Sequence, residues 1–189
     1  MEAGYGARQP HLVGVQEAMS AGIKLRQVLL EDAPCLHLWQ GHPTTRRYAR
    51  DPYVPVFKRH YQWLSEKLDD PNCIFRMVQS HGYPVGTVRL DKEGEIYEVS
   101  INVDPDRHRQ GIGGVALDLI AREVDSTIIA EVHPKNAASH ALFRKAGWTA
   151  TDDTHYRLAP VRTCRKKASL DALEEAFVSH LEPPNQEWR

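Results

Sequence analysis

The chain has 189 residues, 41% of them hydrophobic and 26% charged, which suits one packed domain with tails and argues against a disordered chain. Lys and Arg total 24 against 25 Asp and Glu, a net charge of -1 that argues against a dedicated nucleic-acid binder. No apolar run reaches the roughly 18 residues of a membrane span, and the N-terminal residues lack the continuous apolar core of a signal peptide. Cys35, Cys73 and Cys164 are odd in number and far apart, which predicts a reduced, cytoplasmic setting. The histidines show no ligand spacing, so no metal is expected.

Residues 1–22 read as an extension, 23–160 as one domain and 161–189 as a C-terminal extension. The first strand is expected from Ile23, where apolar residues alternate. Glu31-Asp32 open a helix carrying Leu36, Leu38 and Trp39, stopped by Gly41 and Pro43. Phe57, Tyr61, Leu64 and Leu68 recur at helical spacing and predict an amphipathic helix ending at Asp69-Asp70-Pro71. Strand-like runs follow over Cys73–Gln79, Pro84–Leu90 and Glu95–Val103. The turn residues between them, His81-Gly82 and Asp91-Lys92-Glu93-Gly94, predict antiparallel hairpins. A helix over Ile112–Val124, a buried strand over Thr127–Val132 and a helix over Asn136–Ala146 come next. Short strands near Trp148–Ala150 and His155–Leu158 close the domain. The order predicts an α/β domain: one mixed, mostly antiparallel sheet of about six to seven strands flanked by helices. In the C-terminal extension, Leu170, Leu173, Phe177 and Leu181 form one helical stripe over 169–182. Its own core and a second copy, in a homodimer, are both open as what it packs against.

The most informative stretch runs from Val103 to Gly114. A strand ends, Pro105 stops sheet pairing, and glycines lead directly into an apolar helix. A helix N-terminus carries unpaired amides and about half a positive charge, which suits a phosphate or pyrophosphate. A tight turn that binds nothing is the competing reading. A P-loop is excluded because no Gly-Lys-Ser/Thr is present, and no G-x-G-x-x-G follows the first strand.

A second element, Glu131-Val132-His133-Pro134-Lys135-Asn136, leads through an Ala-rich helix to Gly147-Trp148. Together the two stretches resemble the GNAT superfamily of acetyl-CoA-dependent N-acetyltransferases over residues 23–158. The family's Gln/Arg-x-x-Gly-x-Gly/Ala motif falls on His108 to Gly113, with His108 in the Gln/Arg position. The resemblance implies the GNAT fold, acetyl-CoA as co-substrate, and a small-molecule primary amine as acceptor. It implies that the main chain of Ile101, Asn102 and Val103 lines the pantetheine arm. The amides of Arg109, Gln110, Gly111, Ile112, Gly113 and Gly114 would hold the pyrophosphate, and Asn136 would bond the arm. Phe143 stands where the family often has a proton-donating tyrosine, which leaves the general acid unassigned. The helix leading to Trp39, the segment from His42-Pro43 to Arg46-Arg47, and Trp63 with Lys67 and Asp70 resemble domains acting on nucleotide-linked amino sugars.

Among candidate bases, Glu131 sits in an otherwise apolar strand, where desolvation would push its pKa upward as a general base near neutral pH requires. A structural carboxylate is the competing reading. Glu98 shares a face with Ser100 and Asn102 and reads either as a base acting through water or as an exposed sheet-face carboxylate. Ser139 and Tyr97 are candidate donors to the thiolate. His42, Arg46 and Arg89 are candidates for an anionic substrate. Two rival functions remain: a protein N-terminal or lysine acetyltransferase, and a non-catalytic acyl-CoA-binding module suggested by Phe143.

Overall fold

Strands β1 (Ile23–Gln27), β2 (Cys73–Ser80), β3 (Tyr83–Glu93) and β4 (Ile96–Val103) pair in chain order as an antiparallel meander. They belong to a computed structural model that describes residues 22–160, so the N-terminal extension and the expected helix over 169–182 lie outside the described residues. His81 and Gly82 both have positive φ, 52° and 87°, in the two-residue loop between β2 and β3, as the mirror-image turn of a tight hairpin demands. Strand β3 runs to Glu93, past the turn expected at Asp91. Asp91 and Lys92 pair with Glu98 and Tyr97, and the Lys67 ammonium reaches the Asp91 carboxylate at 2.7 Å.

Strand β5 (Ile128–Glu131) lies parallel to β4, which requires a crossover, and β7 (His155–Leu158) and β6 (Thr149–Ala150) complete a seven-stranded sheet. The crossover is helix α4 (Ile112–Ala121). It stops short of the expected Val124 because the amides of Arg122 and Glu123 turn back to the carbonyls of Leu119 and Ile120. Helices α1 (Ala33–Gly41), α2 (Pro43–Arg46) and α3 (Phe57–Asp69) cover the opposite face. Pro43, read from sequence as a breaker, instead occupies the first turn of α2 behind a His42 cap, where its missing N–H costs nothing.

Two cores follow from the strand alternation. On one face Val88, Leu90 and Val99 meet α4 through Val115, Ala116 and Ile120, and helix α5 (Ala137–Lys145) through Phe143. On the other, Phe75 and Met77 meet Leu36 and Trp39 of α1 and Leu64 of α3. Helix α5 ends as Gly147-Trp148 leads one to expect. Gly147 takes φ 81°, its amide bonds the Arg144 carbonyl, and the Trp148 amide reaches back to Phe143.

Candidate active site

The sheet opens between its two central parallel strands. β4 and β5 pair only at Tyr97–Ile128 and Glu98–Ile129. Beyond that point Val132 donates to Thr154 at 2.7 Å, and Ile101, Asn102 and Val103 stay paired with Val88, Thr87 and Gly86 of β3. The other edge of β4 therefore faces a gap. An extended amide-bearing molecule entering that gap would meet backbone donors and acceptors.

The glycine turn stands at the end of β4. The Asp104 side chain caps the tight turn over Pro105–Arg107, and the His108 ring nitrogen donates to the Val103 carbonyl at 3.1 Å. Arg109 and Gly111 take φ of 63° and 78°, and Gly111 caps α4 without any side-chain hydrogen bond. A Cβ placed on Gly111 or Gly114 would meet nothing within 4 Å, so the first turn of α4 has open space on that side. With Arg109, Gln110, Ile112 and Gly113 completing the turn, amides and helix charge can cradle an anion here. Gly113 is different. A Cβ there would lie 3.1 Å from the end of the Leu142 side chain of α5 and 3.7 Å from Ile101, so α4 and α5 pack closely at this glycine.

Glu98 and Glu131 both point to the face opposite α4, on either side of the gap. The same terminal nitrogen of Arg50, Nη2, bonds Glu98 Oε1 and Glu131 Oε2. Burial works against the Arg50 charge, but hydrogen bonds and attraction from the two carboxylates raise its pKa above the ordinary arginine value. The desolvation expected at Glu131 is not found: 47% of its side chain is exposed, because it is the last residue of β5. Glu98 is the more enclosed, at 25%, and is not the open sheet-face carboxylate of the alternative reading.

The other candidates are engaged within the fold. His42 accepts from the Thr44 amide at 3.3 Å as the α2 cap. Arg46 donates to the carbonyls of Asp51 and Tyr53 at 3.0 and 3.1 Å. Arg89 bonds Asp91 at 2.7 Å and stacks over Trp63 and Phe75. Burial opposes the charge of Asp91, yet hydrogen bonds from Lys67 and Arg89 hold its carboxyl below the usual carboxylate range. These three side chains are held by contacts within the fold rather than standing free at the gap. Asn136 caps α5 by accepting from the Ser139 amide at 3.1 Å. Phe143 is buried, stacked on Tyr156 at 5.4 Å and edge-on to Trp148 at 5.0 Å. It is therefore a core ring. The Tyr156 hydroxyl behind it lies 2.8 Å from His140 Nδ1.

Sequence reasoning did not single out Arg50 as a site residue. The Tyr48 ring packs against the His133 ring, tilted, with centroids 5.4 Å apart, which brings the loop between α2 and α3 against the end of β5. Asp51 and Tyr53 of the same loop line a cleft of about 450 Å³ with Gln40, His60 and Trp63. Among the described residues no group of His, Cys, Asp and Glu is arranged to hold a metal, and no helix is long and apolar enough to cross a membrane.

The family model "Acetyltransferase (GNAT) family" matches residues 38–148. No curated protein matches the chain by sequence. Among solved structures, it is similar to an acetyltransferase from Thermus thermophilus, at 22% identity and a TM-score of 0.62, over 72% of this chain and 96% of that one. It is similar to a GNAT-family acetyltransferase from Bacillus anthracis, at 16% identity and a TM-score of 0.63, over 72% and 94%. A spermidine N-acetyltransferase from Vibrio cholerae, solved with CoA and spermine, matches at 18% identity and a TM-score of 0.60, over 69% and 82%. At these identities the likeness is one of fold.

Proposed function

The chain belongs to the GNAT acetyltransferase family, and we propose that it moves the acetyl group of acetyl-CoA to a primary amine of a small molecule by direct attack, with Glu131 as the base. The supporting observation is the gap between β4 and β5, which has the glycine turn at one end and Glu98 and Glu131 on its rim. The co-substrate fits the residues present. The α4 turn offers amides beside open space, and the free edge of β4 at Ile101–Val103 offers backbone groups to its amide-bearing arm.

When bound, acetyl-CoA supplies an activated thioester. The chain's residues then hold the amine against it and take up the proton. Glu131 takes one proton from the ammonium, the freed nitrogen lone pair bonds the thioester carbonyl carbon, the carbon–sulfur bond breaks, and the second N–H proton leaves to the CoA thiolate or to water. A thiol of pKa about 8.5 is a good leaving group near neutral pH, so the absence of a hydroxyl on Phe143 is tolerable. The amine is the harder problem. A lysine-like amine of pKa about 10.4 is only ~0.04% neutral at pH 7, a cost of roughly 4.6 kcal/mol.

A nucleotide-linked amino sugar is the less favoured acceptor. His42, Arg46 and Arg89, which would read its phosphates, serve the fold instead. Glu131→Gln should lower kcat/KM about 100-fold at pH 7, within the usual range for removing a general base. The defect should shrink as rising pH supplies neutral amine. Rate profiles from pH 6 to 10, followed by CoA thiol release over a panel of amines, test this. A defect constant across the range would make Glu131 structural and shift the role to Glu98. Acetyl-CoA binding without turnover of any amine would favour the binding-module reading.

A further inference from the structure

We propose that Arg50 is a built-in stand-in for the acceptor, and that the acceptor is a cationic alkyl amine that displaces it. The proposal rests on the acetyl-transfer reading above and adds the charge class of the substrate and a competitor carried by the enzyme itself.

The geometry separates a fixed part from a removable one. Glu98 and Glu131 belong to the central strands, with 25% and 47% of their side chains exposed, and form the wall of the gap. The Arg50 side chain is 71% exposed and comes from a loop. That loop holds its shape without Arg50: Arg46 binds the carbonyls of Asp51 and Tyr53, the Asp51 carboxylate accepts from the Tyr53 amide at 2.9 Å, and Tyr48 rests on His133. Only the arginine side chain has to rotate away, leaving the backbone and both cores in place. An exposed ion pair of this kind is weak, so a better-fitting cation can displace it.

Charge fixes what can replace it. Two carboxylates aimed at one point repel each other unless a cation sits between them. With Arg50 rotated out, that cation is the acceptor's ammonium. An amine carrying a phosphate would bring further negative charge to the pair. The guanidinium also cannot accept or surrender a proton near neutral pH, so while it is seated Glu131 has no reacting amine to serve. A site open for only part of the time weakens apparent affinity in proportion to its closed fraction.

The test is calorimetric titration of 1,4-diaminobutane and, separately, glucosamine 6-phosphate into the full chain saturated with CoA. Wild type is compared with Arg50→Ala, with Arg50→Gln as a parallel variant, and with Arg50→Ala/Glu98→Gln. Both single variants should bind the diamine about tenfold more tightly than wild type. The double variant should lose that gain, and glucosamine 6-phosphate should gain in none. Equal or weaker diamine binding by the single variants, a gain shared by the phosphate-bearing amine, or no diamine binding by any protein overturns the proposal. CoA affinity, measured in parallel, separates the two readings. CoA bound equally by all variants without an Arg50 effect on the diamine overturns the stand-in alone, whereas wild type failing to bind CoA overturns the acetyl-transfer reading.

Discussion

Single positions in the glycine turn do different jobs. Gly114 is the third residue of α4 and faces open space, whereas Gly113 is pressed against Leu142. Gly114→Asp separates folding from binding. An acidic residue in the first turn of a helix is worth about 0.3–1 kcal/mol to stability, and any residue but proline improves on glycine in a helix interior. The same charge repels a pyrophosphate. Melting temperature should hold or rise while acetyl-CoA affinity, measured by calorimetry, falls at least tenfold; unchanged affinity would remove the anion from this turn. Gly111 and Gly147 were legible in the sequence because each acts on its own helix terminus, whereas Asn136, expected to bond the pantetheine arm, also caps α5. Arg50 was not: its partners lie 48 and 81 residues away, and only the folded sheet brings them to one nitrogen. Phe143 was legible as a family position but not as a core ring, because Tyr156 and Trp148 enclose it from later in the chain.

At the scale of elements, the wall of the gap depends on how closely β3 approaches β4. A Cβ on Gly86 would fall 2.6 Å from the Asn102 carbonyl oxygen and 3.0 Å from the Val103 Cα, both backbone atoms that cannot yield by rotating. Gly86→Ala must therefore push the free end of β4 aside. A loss of about 1–3 kcal/mol, typical of overpacking, is expected in urea unfolding, together with weaker acetyl-CoA binding. Full stability with unaltered binding would mean that the strand end moves without consequence. Alternation and turn residues made the strands and their hairpins readable in the sequence, and the seven-strand total lies within the expected range. Their lengths were less readable. β3 continues to Glu93 because Lys67 and Arg89 pair with Asp91, and the sequence around Asp91-Lys92 resembles a turn until those partners are in place.

For the molecule as a whole, acid should weaken the layer formed by α1 and α3. His60 is buried beside His37 and Trp63, 5.3 and 5.4 Å between ring centroids. Burial chiefly, and the nearby His37, lower its pKa from 6.5, against a hydrogen bond to the Ala33 backbone that raises it. The unfolded chain then takes up this proton near pH 6.5 while the folded chain resists it. Stability is at its full value above that pH and declines as pH falls from 6.5 through the lower folded value. Urea midpoints for wild type and His60→Phe between pH 7.5 and 5 measure this. The stability difference between them should shift in favour of the phenylalanine as pH drops. A difference independent of pH would show that His60 titrates alike in both states.

The narrow seam between β4 and β5 has a mechanical meaning. The sheet falls into two parts, β1 to β4 and β5 with β7 and β6, joined along a short seam of two residue pairs. Helix α4 leaves the first part through the glycine turn and leads back into the second, so it spans the seam like a strut. A tilt of one part against the other would change the gap most at its open end, near Val103 and Val132. Because Arg50 joins Glu98 on one part to Glu131 on the other, its single nitrogen is also a tie-bar across that seam.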